Sequence, residues 1–322
     1  MPDLLSVIVP VFNESAVLAD FHRQMSAVMK ETGSEYELIY IDDGSSDNTV
    51  DRIVEIRKND SHVALIELSR NFGKEIALSA GLDHARGDAV IIIDADLQDP
   101  PGLVHTFLEE WRNGYDVVYG RRTDRRGDSR AKIFTAKWFY RVLNYLSDVE
   151  IPEDVGDFRL LSRRAVDALT SLPERHRYMK GLYAWIGYPQ KSIPYVREPR
   201  EAGETKWSYW RLWNFALEGI TSFSDVPLKV ATYVGVLTSG VAFIYGLFLL
   251  VRTLVWGNPV PGYPSLIIVM LFLGGVQLIC LGIIGEYLAR TFQESKGRAL
   301  YFVKGYHPVM EQMQAADVDS AS

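Results

Sequence analysis

The chain has 322 residues, of which 48% are hydrophobic and 23% are charged, which supports a folded core and excludes a globally disordered protein. Its only cysteine, Cys280, excludes a disulfide framework and a zinc site built from several thiolates. The formal net charge of −7 argues against nucleic acid as a partner.

Strand and helix patterns alternate through the first part of the chain, which begins with no basic or cleavable apolar segment typical of a signal peptide. Runs rich in β-branched residues predict five strands, at residues 5–11, 37–41, 63–68, 89–94 and 116–119. Helical patterns lie between them, for example at residues 16–32 and 49–59. This alternation predicts an α/β fold with a mostly parallel sheet, in which ligands bind beyond the carboxyl ends of the strands.

Polar clusters follow the first two predicted strands. The first cluster, residues 10–14, reads Pro-Val-Phe-Asn-Glu and would face the ligand crevice, although Asn13 would equally suit the cap of the following helix. The second cluster, residues 42–49, begins with two adjacent aspartates that can accept hydrogen bonds from a ribose or a base N–H. A turn followed by a helix cap would explain the rest of that cluster but not its paired acids.

A third polar cluster, Asp-Ala-Asp-Leu-Gln-Asp at residues 94–99, follows the fourth predicted strand. Asp94, Asp96 and Gln98 alternate, so their oxygen atoms can converge on a hard divalent cation such as Mg²⁺. Simple surface acids are a poor alternative, because like charges crowded at a strand end repel unless a cation neutralises them.

Two long apolar segments lie near the C-terminus. Residues 228–251 contain one charge and residues 265–285 none, so each can span a bilayer, with buried helices of a soluble protein as the alternative. Lysine and arginine are concentrated outside the short connecting loop, which predicts cytoplasmic termini. The predicted organisation is a cytosolic domain at 1–227, spans at about 228–251 and 265–288 within 228–289, and a cytosolic tail at 290–322.

These clusters resemble glycosyltransferase family 2, which has a Rossmann-like GT-A fold and an Asp-x-Asp metal motif. Further motifs, followed by two spans, are similar to those of the polyprenyl-phosphate glycosyltransferases: Ser-Arg-Asn-Phe-Gly-Lys at 69–74, Gly-Asp-Phe-Arg-Leu at 156–160 and Gly-Glu-Thr-Lys-Trp at 203–207. Within that group the chain resembles the bactoprenol glucosyltransferases of O-antigen modification, and dolichyl-phosphate mannose synthases more distantly.

The resemblance implies an enzyme of the bacterial inner membrane that transfers a sugar, with inversion, to undecaprenyl phosphate at the cytoplasmic face, for modification of cell-envelope glycans. UDP-glucose is the expected donor, with galactose, N-acetylhexosamine, modified arabinose or mannose donors as alternatives. Mg²⁺ or Mn²⁺ is the implied cofactor, and a homo-oligomer, a tetramer, the implied assembly. A processive polysaccharide synthase would have more spans and a Gln-x-x-Arg-Trp motif, and a non-catalytic membrane scaffold would not need the intact acids.

The resemblance also implies a role for individual residues. The nucleotide sugar would bind at Pro10, Asn13, Glu14, Asp43, Ser45, Asp94, Ala95, Arg200 and Lys206. The metal would bind at Asp94 and Asp96, with help from Gln98. Asp157 is similar to the acid proposed as base in this group; since a lipid phosphate is already anionic, Asp157 would orient it, unless Asp157 is only a turn residue.

A phosphate acceptor requires cations near the membrane, and a basic stretch supplies them. We expect the acceptor phosphate to contact Arg122, Arg126, Arg130 and Lys132. Aromatic residues at helical spacing near 131–147 predict an amphipathic helix on the membrane surface, and residues 207–223 predict a second one. A helix facing the protein core is the alternative for both.

Overall fold

A mixed sheet of eight described strands forms the centre of the protein. The computed structural model describes residues 3–123, 152, 155–175, 177–196, 224–257 and 262–310. Its strands are β1 (Leu4–Val11), β2 (Glu35–Asp42), β3 (Val63–Leu68), β4 (Ala89–Ile92), β5 (Val117–Arg122), β6 (Val155–Ser162), β7 (Gln190–Tyr195) and β8 (Val303–His307). Their order is β7-β5-β6-β4-β1-β2-β3-β8. The pairs β1–β2, β1–β4, β2–β3 and β5–β7 are parallel, whereas β4–β6, β5–β6 and β3–β8 are antiparallel.

Helices cover both faces of this sheet. They are α1 (Leu18–Thr32), α2 (Thr49–Asn59), α3 (Lys74–His84), α4 (Leu103–Arg112), α5 (Arg163–Ser171) and α6 (Met179–Trp185). Val7 and Val9 of β1 pack in a core with α1, α2 and α4, and Ile8 between them packs in a second core with α3, α5 and α6. Because successive strand residues point to opposite faces, a strand buried on both sides is apolar at nearly every position, as β1 is except at Ser6, whose hydroxyl donates to Glu37. The predicted α/β architecture is confirmed.

Three strands were not among those predicted. β6 inserts antiparallel between β4 and β5, and β7 pairs with the outer side of β5. β8 lies within residues 290–322, for which we predicted only a tail, and it pairs antiparallel with β3. Short strands that depend on distant partners carry little signal of their own, because strand formation is decided largely by cross-strand packing.

Two long helices, α7 (Val226–Trp256) and α8 (Tyr263–Ser295), contain the predicted spans. Each is long and apolar enough to cross a membrane. Their apolar side chains are exposed, as shown by Phe243 at 74% and Leu254 at 78%. This exposure excludes the alternative of helices buried in a soluble core, and we call the pair the helical hairpin.

The C-terminal end of the helical hairpin contacts the sheet domain. At the end of α8, the Glu294 carboxylate accepts hydrogen bonds from the backbone N–H of Arg175 at 3.0 Å. Beyond α8, Tyr301 donates to Asp83 at 2.8 Å, and Lys304 of β8 pairs with Glu67 of β3 at 3.1 Å. After α8 the chain therefore rejoins the sheet whose other seven described strands precede α7 in the sequence.

Candidate active site

The first two polar clusters meet at the carboxyl ends of β1 and β2. Asn13 has a positive φ of 56°, and its Oδ1 accepts the backbone N–H of Ser46 at 2.8 Å. The Asn13 N–H donates to Ser45 Oγ at 2.9 Å, and the Glu14 N–H donates to Thr49 Oγ1 at 2.9 Å. Since α1 begins at Leu18, Asn13 is not its cap. Asn13 instead joins the loop that follows β1, which contains Pro10 near its end, to the loop that follows β2.

Asp43 connects the second cluster to the loop before α3. Its carboxylate accepts the backbone N–H of Phe72 at 2.7 Å and that of Gly73 at 2.9 Å. Burial raises the pKa of Asp43, and these two hydrogen bonds oppose that rise. Gly44 is required here, because a Cβ would lie 2.6 Å from the backbone of Arg70. A carboxylate accepts about four hydrogen bonds, so Asp43 retains capacity for a ligand donor.

The third cluster lies at the end of β4. The Ala95 side chain is buried in the core, which leaves only its backbone for contact with a ligand. Leu97 has a positive φ of 56°, and the N–H of buried Gln98 donates to Asp96 Oδ1 at 3.2 Å. This tight turn places Asp94 and Asp96, which are two residues apart, at the edge of the sheet where β4 ends.

The acids at this turn suit a metal that arrives with its substrate. In the described part of the chain, no group of three or more His, Cys, Asp or Glu side chains forms a metal cage. Mg²⁺ is typically bound by one or two carboxylates, with substrate phosphates and water completing the octahedron. Asp94 and Asp96 are hard oxygen ligands of this kind, so the donor set fits a divalent cation on a diphosphate.

The sheet register brings Asp157 to the third cluster. Ile92 of β4 pairs with Arg159 of the antiparallel β6, and continuing this register by two residues puts Asp94 opposite Asp157. Lys74, the first residue of α3, lies between the two acids: its Nζ is 2.7 Å from the Asp94 carboxylate and 2.5 Å from Asp157 Oδ2. Asp157 Oδ1 is buried and has no hydrogen-bond partner among the described residues.

Cations determine the charge state of Asp157. Burial alone would raise its pKa, but the charges of Lys74 and Lys180 outweigh burial and lower the pKa well below the usual range. The side chain, 12% exposed, is therefore ionised at neutral pH. Burial and the charge of Asp157 raise the pKa of neighbouring Glu75 to about 7. Glu75 also accepts the backbone N–H of Met179 at 3.2 Å.

Arg122, at the end of β5, also faces this region. Its Nε donates to Tyr195 Oη at 3.4 Å, and that hydroxyl donates to the buried Asp99. A Cβ on Gly156 would lie 2.9 Å from Arg122 Nη2, so the glycine beside Asp157 makes room for the guanidinium. Arg122 thus places a positive charge near the acids of β4 and β6.

Several predicted residues lie outside the described residues: Arg126, Arg130, Lys132, Arg200, Lys206 and the two predicted membrane-surface helices near 131–147 and 207–223. The sequence interpretation gave no role to Lys74, Glu75 or Lys180, although Lys74 ends one of the quoted motifs. A signal for Lys74 was present, since a lysine in the first turn opposes the helix dipole and needs a local reason.

Comparison with known proteins agrees with this geometry. The model of the glycosyl transferase family 2 matches residues 6–170, and that of the GtrB C-terminal hairpin matches residues 226–291. A bactoprenol glucosyl transferase of Shigella phage SfV is 48% identical over 300 residues, covering 93% of this chain and 98% of the relative. An Escherichia coli prophage bactoprenol glucosyl transferase homolog is 47% identical over 300 residues, with the same coverage.

A third relative, an uncharacterized glycosyltransferase of Synechocystis sp., is 50% identical over 299 residues, covering 93% of this chain and 94% of the relative. The family model spans the acids of β4 and β6 and Lys74 between them, and the hairpin model spans most of α7 and α8. The chain therefore belongs to glycosyltransferase family 2, with a GT-A catalytic domain followed by a hairpin of the GtrB type.

Proposed function

We propose that the protein transfers glucose from UDP-glucose to undecaprenyl phosphate at the cytoplasmic face of the membrane. The observation that carries this proposal is the juxtaposition, at one edge of the sheet, of Asp94 with Asp157, whose buried Oδ1 has no hydrogen-bond partner among the described residues. Two relatives 47–48% identical over most of the chain are bactoprenol glucosyl transferases or homologues of them, which favours a polyprenyl phosphate acceptor and glucose. The same site chemistry suits other nucleotide sugars, which the experiment below separates.

On the donor side, the loops joined by Asn13, together with Asp43 and Ser45, would bind the nucleoside. Asp94 and Asp96, with Gln98, would hold Mg²⁺ or Mn²⁺, which when bound neutralises charge on the diphosphate leaving group. We keep Arg200 and Lys206 as predicted contacts to the same diphosphate, where a cation stabilises the charge that develops as the glycosidic bond breaks.

On the acceptor side, a phosphate oxygen attacks the anomeric carbon while the bond to the diphosphate breaks and the nucleoside diphosphate leaves with the electron pair. A phosphate monoester has a second pKa of about 6, so near neutral pH the attacking oxygen needs little deprotonation. The ionised Asp157 would orient the singly protonated form of the acceptor by accepting its proton in a hydrogen bond, and Arg122 would offset the charge of the phosphate. A single in-line displacement inverts the anomeric carbon.

The membrane supplies the acceptor. Because β8, after the helical hairpin, pairs with β3, which precedes it, a hairpin that spans the membrane twice would keep both termini on the side of the sheet domain. The distribution of lysine and arginine favours the cytoplasm for that side. Arg126, Arg130 and Lys132 remain predicted acceptor contacts, and a homo-oligomer, a tetramer, remains the expected assembly.

The test is a screen of nucleotide sugars against undecaprenyl phosphate, using the full chain in detergent with Mg²⁺ or Mn²⁺ and measuring the product mass. We expect undecaprenyl phosphate glucose from UDP-glucose, with a β linkage by NMR. Turnover with a different donor would correct the sugar, and an α-linked product would contradict the single displacement. Absence of lipid-linked product from every donor would overturn the proposed function. The Asp96→Asn variant is the inactive control.

A further inference from the structure

Lys74 occupies the place between Asp94 and Asp157 where a cation is needed. The two acids face each other at the ends of antiparallel strands, a placement in which like charges repel. The ammonium contacts one oxygen on each side, at 2.7 and 2.5 Å. The charge of Lys74 therefore makes the facing of these two acids possible before any substrate binds.

The backbone fixes where this ammonium lies. Gly73, which precedes Lys74, has a positive φ of 97°, and its N–H is bound by the Asp43 carboxylate at 2.9 Å. Ordinarily a lysine at the start of a helix opposes the helix dipole. The two acids compensate this local cost, so the position of Lys74 is determined by the loop and by the acids together.

We propose that Lys74 is a positioning residue that serves as a resident counter-cation: it pairs with Asp94 and Asp157 while the site is free, then yields Asp94 to the metal and stays with Asp157. The inference rests on the proposed function for the metal at Asp94. Lys74 and the metal compete for one carboxylate, so Lys74 weakens metal binding in the absence of donor. By remaining on Asp157 Oδ2, it keeps Oδ1 directed to the acceptor.

This competition predicts opposite effects on metal binding and turnover. An opposite charge within about 4–6 Å changes the affinity of a carboxylate for a proton by about 10- to 1,000-fold. A metal ion competes for the same charge, so we expect Lys74→Met to bind Mn²⁺ about tenfold more tightly. The same variant should lose at least about 100-fold in kcat, because Asp157 loses its partner. Lys74→Arg keeps the charge and should keep Mn²⁺ affinity within about threefold of wild type.

The experiment titrates Mn²⁺ into the full chain in detergent, without sugar or lipid, and follows free Mn²⁺ by electron paramagnetic resonance. Lys304→Met is the matched control, because it removes one lysine from an ion pair, with Glu67 at 3.1 Å, on the far edge of the sheet. Asp94→Asn shows whether the titrated site is the one described. Thermal unfolding of each variant separates loss of fold from loss of function.

Tighter Mn²⁺ binding in Lys74→Met, with unchanged Lys304→Met and partial recovery of kcat in Lys74→Arg, supports the proposal. Weaker or unchanged Mn²⁺ binding in a folded Lys74→Met overturns it, since a merely structural lysine would not restrain the metal. Mn²⁺ binding that is unchanged in Asp94→Asn also overturns it. So does the absence of Mn²⁺ binding in every protein tested, Lys74→Met included. The Mn²⁺ titration uses neither donor nor lipid. Its failure can therefore be distinguished from a failure of the screen that identifies the transferred sugar.

Discussion

Replacing Asp157 by asparagine separates orientation of the acceptor from binding of the donor. Asparagine preserves size and shape but removes the charge that pairs with Lys74 at 2.5 Å, and one oxygen becomes an amide donor. The unpartnered Oδ1 position then no longer offers a charged acceptor to the lipid phosphate. Removing one preorganised polar contact of this type costs about 100- to 1,000-fold in kcat, or about 2.7–4 kcal/mol of transition-state stabilisation.

Binding of the nucleotide sugar at its proposed contacts should not change. Asn13, Asp43 and Ser45 lie on loops of β1 and β2, with hydrogen bonds of their own that do not involve Asp157. We therefore expect KM for the nucleotide sugar to stay within about threefold of wild type while kcat falls. The assay measures kcat and KM for donor and acceptor separately, at saturating metal, with thermal unfolding as the control for folding.

Two results would refute this reasoning. Asp157 lies within β6, so the turn suggested by its Gly-Asp sequence is wrong. A kcat close to wild type with a slightly changed Tm would make Asp157 a structural residue of that strand with no part in the reaction. An increase of donor KM that accounts for the whole loss would move Asp157 to the donor side of the reaction. Either outcome would remove the geometric basis for an acceptor beside Oδ1.

Three further predictions concern the metal, the membrane and the pH dependence of stability. EDTA should abolish transfer, and Mg²⁺ or Mn²⁺ should restore it. The Asp96→Asn variant should lose at least about 100-fold in rate. Full activity in EDTA would exclude a role of the metal in transfer. A cysteine at Asn258, in a variant without the native cysteine, should react with a reagent confined to the periplasmic side, whereas tags at the termini should not; labelled termini would reverse the topology. Hydrogen bonds with His22 and His62 lower the pKa of Asp60 well below its usual range, so ionised Asp60 stabilises the fold above the unfolded pKa. The Tm difference between wild type and Asp60→Asn should be largest above about pH 5 and narrow below about pH 4, and a difference that is constant to low pH would contradict this.

Local patterns were sufficient for the first half of the sheet. β3 has the predicted bounds, and β1 and β2 extend the predicted segments by one or two residues at an end, because their apolar residues are buried on both faces. β8 could not be predicted in the same way, since its residues are half-buried or exposed. Its partner β3 lies about 240 residues away in sequence, and only the folded sheet brings the two together.

In the candidate site, too, the local features could be predicted and the long-range contacts could not. Each polar cluster was predictable because it follows a strand, and the carboxyl ends of parallel strands share one edge of the sheet. The contact of Asp94 with Asp157 through Lys74 could not be predicted, because β6 runs antiparallel and its register is a property of the assembled sheet. Resemblance supplied Asp157 as a candidate, but only the structure supplied its neighbours.

The first turn of α3 connects the proposed donor and acceptor sites. The backbone that Asp43 binds at Gly73 leads directly into Lys74, and Lys74 contacts both Asp94, on the proposed donor side, and Asp157, on the proposed acceptor side. A shift of this loop on nucleotide binding would therefore move the ammonium that orients Asp157. Because the ammonium interacts with both acids at less than 3 Å, even a small displacement changes both electrostatic interactions. Local rules disfavour a lysine at this position, and the ion pairs with Asp94 and Asp157 are what offset that cost.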